Sequence, residues 1–478
     1  MMKKHGYLLF IFILIGCCVG CSHEPKGRKA AASQSVSHDW SDIVAKGKLT
    51  LLTENTSTSY FLYRGQPIGY DYELVKAFCN SHDLELETKV IGDMNQMFQM
   101  LDDGEGDLIA CNLAITGERL NAVKFTEPLV QTRQVLVQRK PDNWRKMSKS
   151  SIDKAMIGAV LEMEGITIHV HNYSSFNARL LNLKEELGID FEIIDAPGEI
   201  DSEELIRMVA LGEFDYTIAD ENVALLNQTY YPNLYISTSI SQPQNIAWAV
   251  RTTSDSLLLQ LDEWIKASSN KKRLAYTYEK YFLSPKNHKE RVQSEYSSLA
   301  GKRISPYDEA IKKHAAIPNW DWKLLAAMVY QESRFNPNAK SWAGAFGLMQ
   351  LMPSTGERFG IDTSMVGEPN IEAGCKFLRY LEKLWLDKVP DALERQKFVL
   401  ASYNVGQGHV LDAIALAEKM GLKTTVWDNN VEMALRLKSK PKYYTMDVVK
   451  HGYCRGNDVS NYVKDILTQY QHYLSLES

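Results

Sequence analysis

The sequence predicts a multidomain chain in which an α/β two-lobe clamshell is followed by a mainly α domain. Strand-like and helix-like segments alternate from Gly47 to about Leu283, and beyond them only amphipathic helices remain. The length agrees, because 478 residues exceed what one hydrophobic core organises. Charged residues at 24% and hydrophobic residues at 45% are ordinary for globular protein. A formal net charge of -5 lacks the concentrated basic surface that nucleic acid requires, so no nucleic-acid partner is expected. A polymer that is roughly neutral along its backbone stays compatible.

Lys3 and Lys4 give a positive start, and Gly6 to Ile15 is an apolar run too short to span a bilayer comfortably. Small residues and cysteines follow in LIGCCVGCSHEPKG, so residues 1–21 read as a signal peptide. The apolar-apolar-small-Cys ending resembles the lipobox of bacterial lipoproteins, in which the cysteine is lipidated and becomes the new N-terminus. Leu14-Ile15-Gly16-Cys17 fits best and Cys21 is the alternative; a plain signal peptide or short anchor helix is the other reading. The resemblance implies soluble domains tethered by acyl chains. No Asp follows either cysteine, which implies an outer-membrane lipoprotein facing the periplasm. Residues 22–45, rich in Ser, Lys, Ala and Gly, read as a tether. Cys79, Cys111, Cys375 and Cys454 form no C-x-x-C pair and have no His at ligand spacing, so no metal site is expected. Free buried cysteines are the default, and within-domain disulfides are conceivable in an exported protein.

In the first α/β series KLTLLTE, ETKVIG and DLIACNLAI read as strands, and DYELVKAFCNSH and MNQMFQMLDDG as helices. A second series runs from Met156 to about Tyr235 through MIGAVLEME, FEIIDA, ELIRMVALGEF and YTIADENVALLN. Extended crossings near QVLVQRKP and NIAWAVR suggest a hinge, and the whole domain is placed at 46–284. The strings GQPIGYDYELVKAF, GEGDLIACNLAITGERLNAVKFTEPL and GEFDYTIADENVALL resemble the periplasmic amino-acid-binding proteins, of solute-binding family 3. The resemblance implies that Arg119, with Thr116 beside it, grips a ligand α-carboxylate and that Asp220 meets the α-ammonium. It also puts Thr167, in GIT, among the second-lobe contacts. A guanidinium fork suits a carboxylate. Read without it, Arg119 is a solvated helix-start residue and Asp220 an N-cap.

Residues 285–302 (SPKNHKERVQSEYSSLAGK in context) read as a polar linker with some helical character. The domain at 303–478 then shows seven helical stretches and no repeat of solenoid period. In WKLLAAMVYQESRFNPNA, Trp322, Leu325, Met328 and Val329 recur at helical spacing, and Glu332 follows Val329 by three positions. Glu332 therefore projects near the apolar side before Asn336-Pro337 stops the helix, where desolvation raises a carboxyl pKa. An exposed or ion-paired glutamate is the plainer alternative.

Glu332, Ser333, Phe335, Ala339 and Ser341 form the pattern ES-x-F-x-x-x-A-x-S. GAFGLMQLMPST, NIEAGCKFLRYL and ASYNVGQGHV follow in order, and together the four blocks resemble the soluble lytic transglycosylases, a lysozyme-like fold. The resemblance implies Glu332 as catalytic acid/base and Ser341 as a holder of substrate or carboxyl. It places Met349 and Gln350 along the glycan cleft, Tyr403 against the carboxyl or sugar, and Asn404 on an acetamido group. Taken alone, Tyr403 has the alternative reading of a core aromatic and Gln350 that of a backbone-capping amide.

Ordinary glycosidases use two carboxylates, and here the next acids are Glu357 and Asp362, in a Gly-rich loop and helix start. One carboxyl suffices if the MurNAc C6 hydroxyl closes onto C1, giving a 1,6-anhydro end without cofactor. The whole arrangement resembles the membrane-bound lytic murein transglycosylase F type. It implies peptidoglycan glycan strands as substrate and an amino acid or muropeptide as clamshell ligand. The rivals are a solute receptor with an inactive C-terminal domain and a hydrolytic muramidase.

Overall fold

The computed structural model describes residues 38–171, 174–197, 200–301 and 303–475. The expected signal peptide, with Cys17 and Cys21, lies outside the described residues. Among the described residues no helix is long and apolar enough to cross a membrane.

The first lobe is a five-stranded sheet in the order Glu85–Val90, Lys48–Thr53, Leu108–Ile109, Ala249–Arg251, Val123–Phe125. The first three strands run parallel, with Leu51 between Thr88 and Leu108, and Ala249–Arg251 is antiparallel to both neighbours. Burial of all but the first position of Lys48–Thr53 explains its near-continuous apolar sequence, as expected of a strand covered on both faces. The second lobe orders Glu192–Asp195, Thr167–Val170, Tyr216–Asp220, Gln134–Arg139, Leu234–Ser239. A two-stranded ribbon, Val130–Thr132 against Gln244–Ile246, connects the lobes.

Several expectations are corrected here. QVLVQR is an inner strand of the second lobe, and the crossing lies just before it. In MIGAVLEME only Val160–Met163 is regular, as a 3-10 turn, and Thr167–Val170 supplies the strand. The tether shortens, because Trp40–Lys46 is a helix closed by an Asp39–Asp42 capping box and a left-handed Gly47. His38 meets Asp107 at 3.0 Å, which fixes the start of this segment to the sheet. The linker is also built in: Pro285–Val292 is helical, and Ser298 N donates to Leu62 O while Tyr296 O accepts from Arg64 N. Residues 296–298 thus extend the hairpin Phe61–Tyr63/Gln66–Ile68 of the first lobe.

In the C-terminal region the helix Trp322–Ser333 is central. Every residue from Lys323 to Tyr330 is buried, a cylinder apolar nearly all round rather than the single stripe the spacing predicts. Asp321 caps it by accepting from Lys323 N at 2.7 Å. It ends at Ser333, ahead of Asn336, because Arg334 and Phe335 both turn left-handed, at φ 53° and 60°. The long C-terminal helix Gly456–Leu474 packs along it. One continuous apolar core joins this region to the first lobe, whereas the second lobe keeps separate cores. All four described cysteines are free and buried.

Candidate functional site

Glu332 lies in the last turn of the central helix, half-buried. Its Oε1 accepts the Tyr462 hydroxyl at 2.5 Å, a bond from the C-terminal helix. Burial pushes the carboxyl up to about 7, and the Tyr462 hydrogen bond pulls the other way without offsetting it. Tyr403, from the helix Ala392–Val405, has its phenol held protonated by burial first and then by the nearby Glu332 charge. Its hydroxyl donates to Met349 O at 2.7 Å, not to Glu332. Tyr462, absent from the sequence reading, makes the carboxyl bond that was one of the two roles expected of Tyr403. The sequence marks only its burial: Val459, Tyr462, Val463 and Ile466 share one face of their helix.

The GLMQ loop is held from beneath. Asn370, fully buried, accepts from Met349 N at 2.8 Å and donates to Phe346 O at 3.2 Å. Gly347 is left-handed, and a Cβ there would sit 2.4 Å from the Asn370 amide. The Met349 side chain is fully buried and packs on Gly374, so its expected place along the cleft is corrected: it reaches the site through its carbonyl. Gln350 spends its amide on Ala339 O and Gly347 O, at 3.0 and 2.8 Å, which is the backbone-capping role. Ser341 Oγ accepts from Ala345 N at 3.0 Å and closes a turn that leaves Trp342 fully out in solvent. Asn404 is exposed one residue beyond Tyr403. Glu357 and Asp362 are both exposed, and Asp362 is bonded to Ser364 within its own turn. Among the described residues no cluster of His, Cys, Asp or Glu could hold a metal ion.

The second constellation lies between the lobes. Arg119 and Asp220 both line this cavity, with Glu54, Asn112, His171 and Glu203. Arg119 Nη1 donates to Ala114 O at 3.0 Å, and Thr116 Oγ1 accepts from Arg119 N at 3.3 Å behind the lining. Asp220 stands at the N-cap of Glu221–Tyr230 yet makes no capping bond; its Oδ2 accepts from Asn112 Nδ2 at 2.8 Å, across the lobes. Burial raises the Asp220 carboxyl to about 7 against the lowering pull of Arg119. Thr167 is corrected: its hydroxyl donates to Glu192 at 2.9 Å at the start of its strand. The cavity lies at the opposite, carboxyl ends of the strands, where Ser174 and Ser175 supply the hydroxyls instead.

Comparison with known proteins agrees with both halves. Residues 49–284 match the family of bacterial extracellular solute-binding proteins, family 3, and residues 309–425 match the transglycosylase SLT domain. A membrane-bound lytic murein transglycosylase F of Desulfosudis oleivorans is 33% identical, over 89% of this chain and 89% of that one. One from Shewanella sediminis is 32% identical, over 98% of this chain and 91% of that one. Among solved structures, an ancestral amino-acid-binding protein is 20% identical at a TM-score of 0.42, covering 51% of this chain and 98% of that one. An amino acid transporter substrate-binding protein of Streptococcus pneumoniae bound to L-arginine is 21% identical at 0.43, covering 52% and 99%. Fold and site define a lytic transglycosylase fused to a solute-binding domain. The chain belongs to the membrane-bound lytic murein transglycosylase F family.

Proposed function

We propose that Glu332 serves as both acid and base in cleaving the MurNAc-β-1,4-GlcNAc bond of peptidoglycan without water. The observation that carries this is a carboxyl held near 7 by burial and bonded to a phenol, on which no second acid acts among the described residues. Protonated Glu332 gives its proton to the glycosidic oxygen as the C1–O bond breaks, and GlcNAc leaves with a free 4-hydroxyl. The MurNAc acetamide supports the electron-poor C1. The Glu332 carboxylate, steadied by the Tyr462 O–H, then takes the proton of the C6 hydroxyl while O6 bonds to C1. The product is a 1,6-anhydro-MurNAc end and the enzyme regains its starting proton. Ser341, Gln350 and the Met349 carbonyl shape the loop on which the glycan lies, and Asn404 is the residue free to meet an acetamido group.

The clamshell, taken as residues 46–284, would bind an amino acid or cell-wall peptide through Arg119 and Asp220 and gate the catalytic domain at 303–478. An acyl anchor at Cys17 or Cys21 would hold the enzyme at the outer membrane, facing the periplasm. Mass spectrometry of sacculi digested with lipid-free protein tests the chemistry. Anhydro-muropeptides from the wild type and none from Glu332→Gln are expected. Reducing ends would make the enzyme a muramidase, and no product from any sacculus would favour a receptor.

A further inference from the structure

We propose that the clamshell cavity takes an α-amino acid bearing a second cationic group, ammonium or guanidinium, and that Glu54, backed by Glu203, receives it. This rests on the reading in which Arg119 holds the α-carboxylate and Asp220 the α-ammonium, and adds a third point of recognition.

The charge balance of the cavity motivates it. Among its described lining residues, Glu54, Glu203 and Asp220 face one permanent cation, Arg119. His171 also lines it, and burial lowers its pKa, so it is neutral at pH 7. A ligand with a neutral side chain brings one carboxylate and one ammonium, which cancel, and leaves the acids in excess of Arg119 buried in their protonated form. A ligand with a second cation lets one of these acids give up its proton and form an ion pair.

The hydrogen bonds give the same count. Glu203 is already engaged across the lobes, accepting Ser57 Oγ at 2.8 Å and Ser57 N at 3.4 Å. Two carboxylate oxygens, Glu54 Oε1 and Asp220 Oδ1, are buried without a partner among the described residues. Asp220 itself is only 7% exposed. Leaving such atoms unmatched is costly, and two cationic donors would satisfy one each. Position fits as well. Glu54 directly follows the strand Lys48–Thr53 at its carboxyl end, where open α/β sheets receive ligands. Glu203 lies in the first turn of the helix Ser202–Leu211 of the other lobe, so a cation between the two would tie the lobes together. Burial, with Asp201 and Glu203 nearby, holds the Glu54 carboxyl at about 8, so an arriving cation should release protons.

Calorimetry on the lipid-free full chain decides it, with L-lysine and L-arginine set against their neutral isosteres L-norleucine and L-citrulline. One of the basic amino acids should bind at least about thirtyfold tighter than its isostere, the ratio that a desolvated ion pair supplies. Its binding heat should vary between buffers in the way proton release requires. Glu54→Gln should remove the preference and the proton release while changing isostere affinity less than about threefold; retention of both would overturn the role of Glu54. Equal affinity for basic ligand and isostere, abolished by Asp220→Asn, would sink the proposal and leave the amino-acid clamshell standing. No binding of any amino acid would sink both.

Discussion

At Glu332 two effects oppose each other, and burial wins. Desolvation penalises the carboxylate, the Tyr462 hydroxyl favours it, and the balance falls at about 7. An acid that must start protonated should give a kcat/KM that is level below that pH and falls about tenfold per unit above it. Tyr462→Phe removes a bond that favours the charged form, so the descending limb should move to higher pH, with the plateau lowered roughly tenfold. Rates on labelled sacculi between pH 5 and 9 read both effects; an unmoved limb would remove Tyr462 from the site. The same shift predicts a stability effect. The folded pKa lies above the ordinary glutamate value of 4.5, so the native state binds more protons across that window. The stabilisation is complete below about 4.5 and lost as pH rises through about 7. Glu332→Gln, which stays neutral, should melt higher than wild type at pH 8 and equal to it near pH 4, by calorimetry. Glu332 was legible in sequence because its apolar neighbours share its own helix. Tyr462 was not, since its meeting with Glu332 depends on how two distant helices cross.

At the scale of elements, the loop Gly344–Gln350 has its shape set by a residue outside it. Asn370 pairs one donor and one acceptor of the loop, and Gly347 and Gly374 leave room for Asn370 and Met349. Asn370→Ala would leave Met349 N and Phe346 O buried and unmatched, at a cost of about 2 to 3 kcal/mol. The expected result is a lower midpoint in urea without a change of slope, and a drop in kcat, since the loop carries the carbonyl that fixes Tyr403. A variant that loses kcat at unchanged stability would show instead that Asn370 acts on substrate. The motif announced this loop, but a motif does not say which way each side chain faces. Met349 went into the core and Gln350 onto its own backbone because the turn had unmet polar groups and a pocket to fill. The clamshell strands were legible wherever both sheet faces are covered, as in Lys48–Thr53. Of the three-residue crossings, Gln244–Ile246 was read at the start of NIAWAVR, while Val130–Thr132 was misplaced into the strand that follows it, because pieces that short carry no periodicity.

At the scale of the molecule, the distribution of cores says what can move. The first lobe and the catalytic helices share one core, so they behave as one body, while the second lobe packs on itself and meets the first largely through polar contacts. Closure on the proposed ligand would therefore displace the second lobe. Its helix Glu221–Tyr230, which begins beside Asp220, packs on Pro285–Val292, and that helix leads into residues 296–298 on the first-lobe hairpin. The hairpin tip is wedged in the catalytic region: Gly65 O accepts from Gln469 Nε2 at 2.7 Å and from Tyr473 OH at 3.1 Å. Both donors lie on the C-terminal helix that carries Tyr462. Nearby, Tyr60 OH meets His472 Nδ1 at 2.9 Å, and burial keeps this histidine neutral by lowering its pKa to about 3. A ligand changes activity through this chain only if it favours one arrangement of the hairpin and helix over another. Gln469→Ala combined with Tyr473→Phe strips both donors from Gly65 O without touching cavity or cleft. The expected outcome is an unchanged ligand Kd by calorimetry, together with loss of the ligand-induced change in kcat. A response to ligand that survives the double substitution would mean the signal runs elsewhere, and the wedge would then be a structural joint alone.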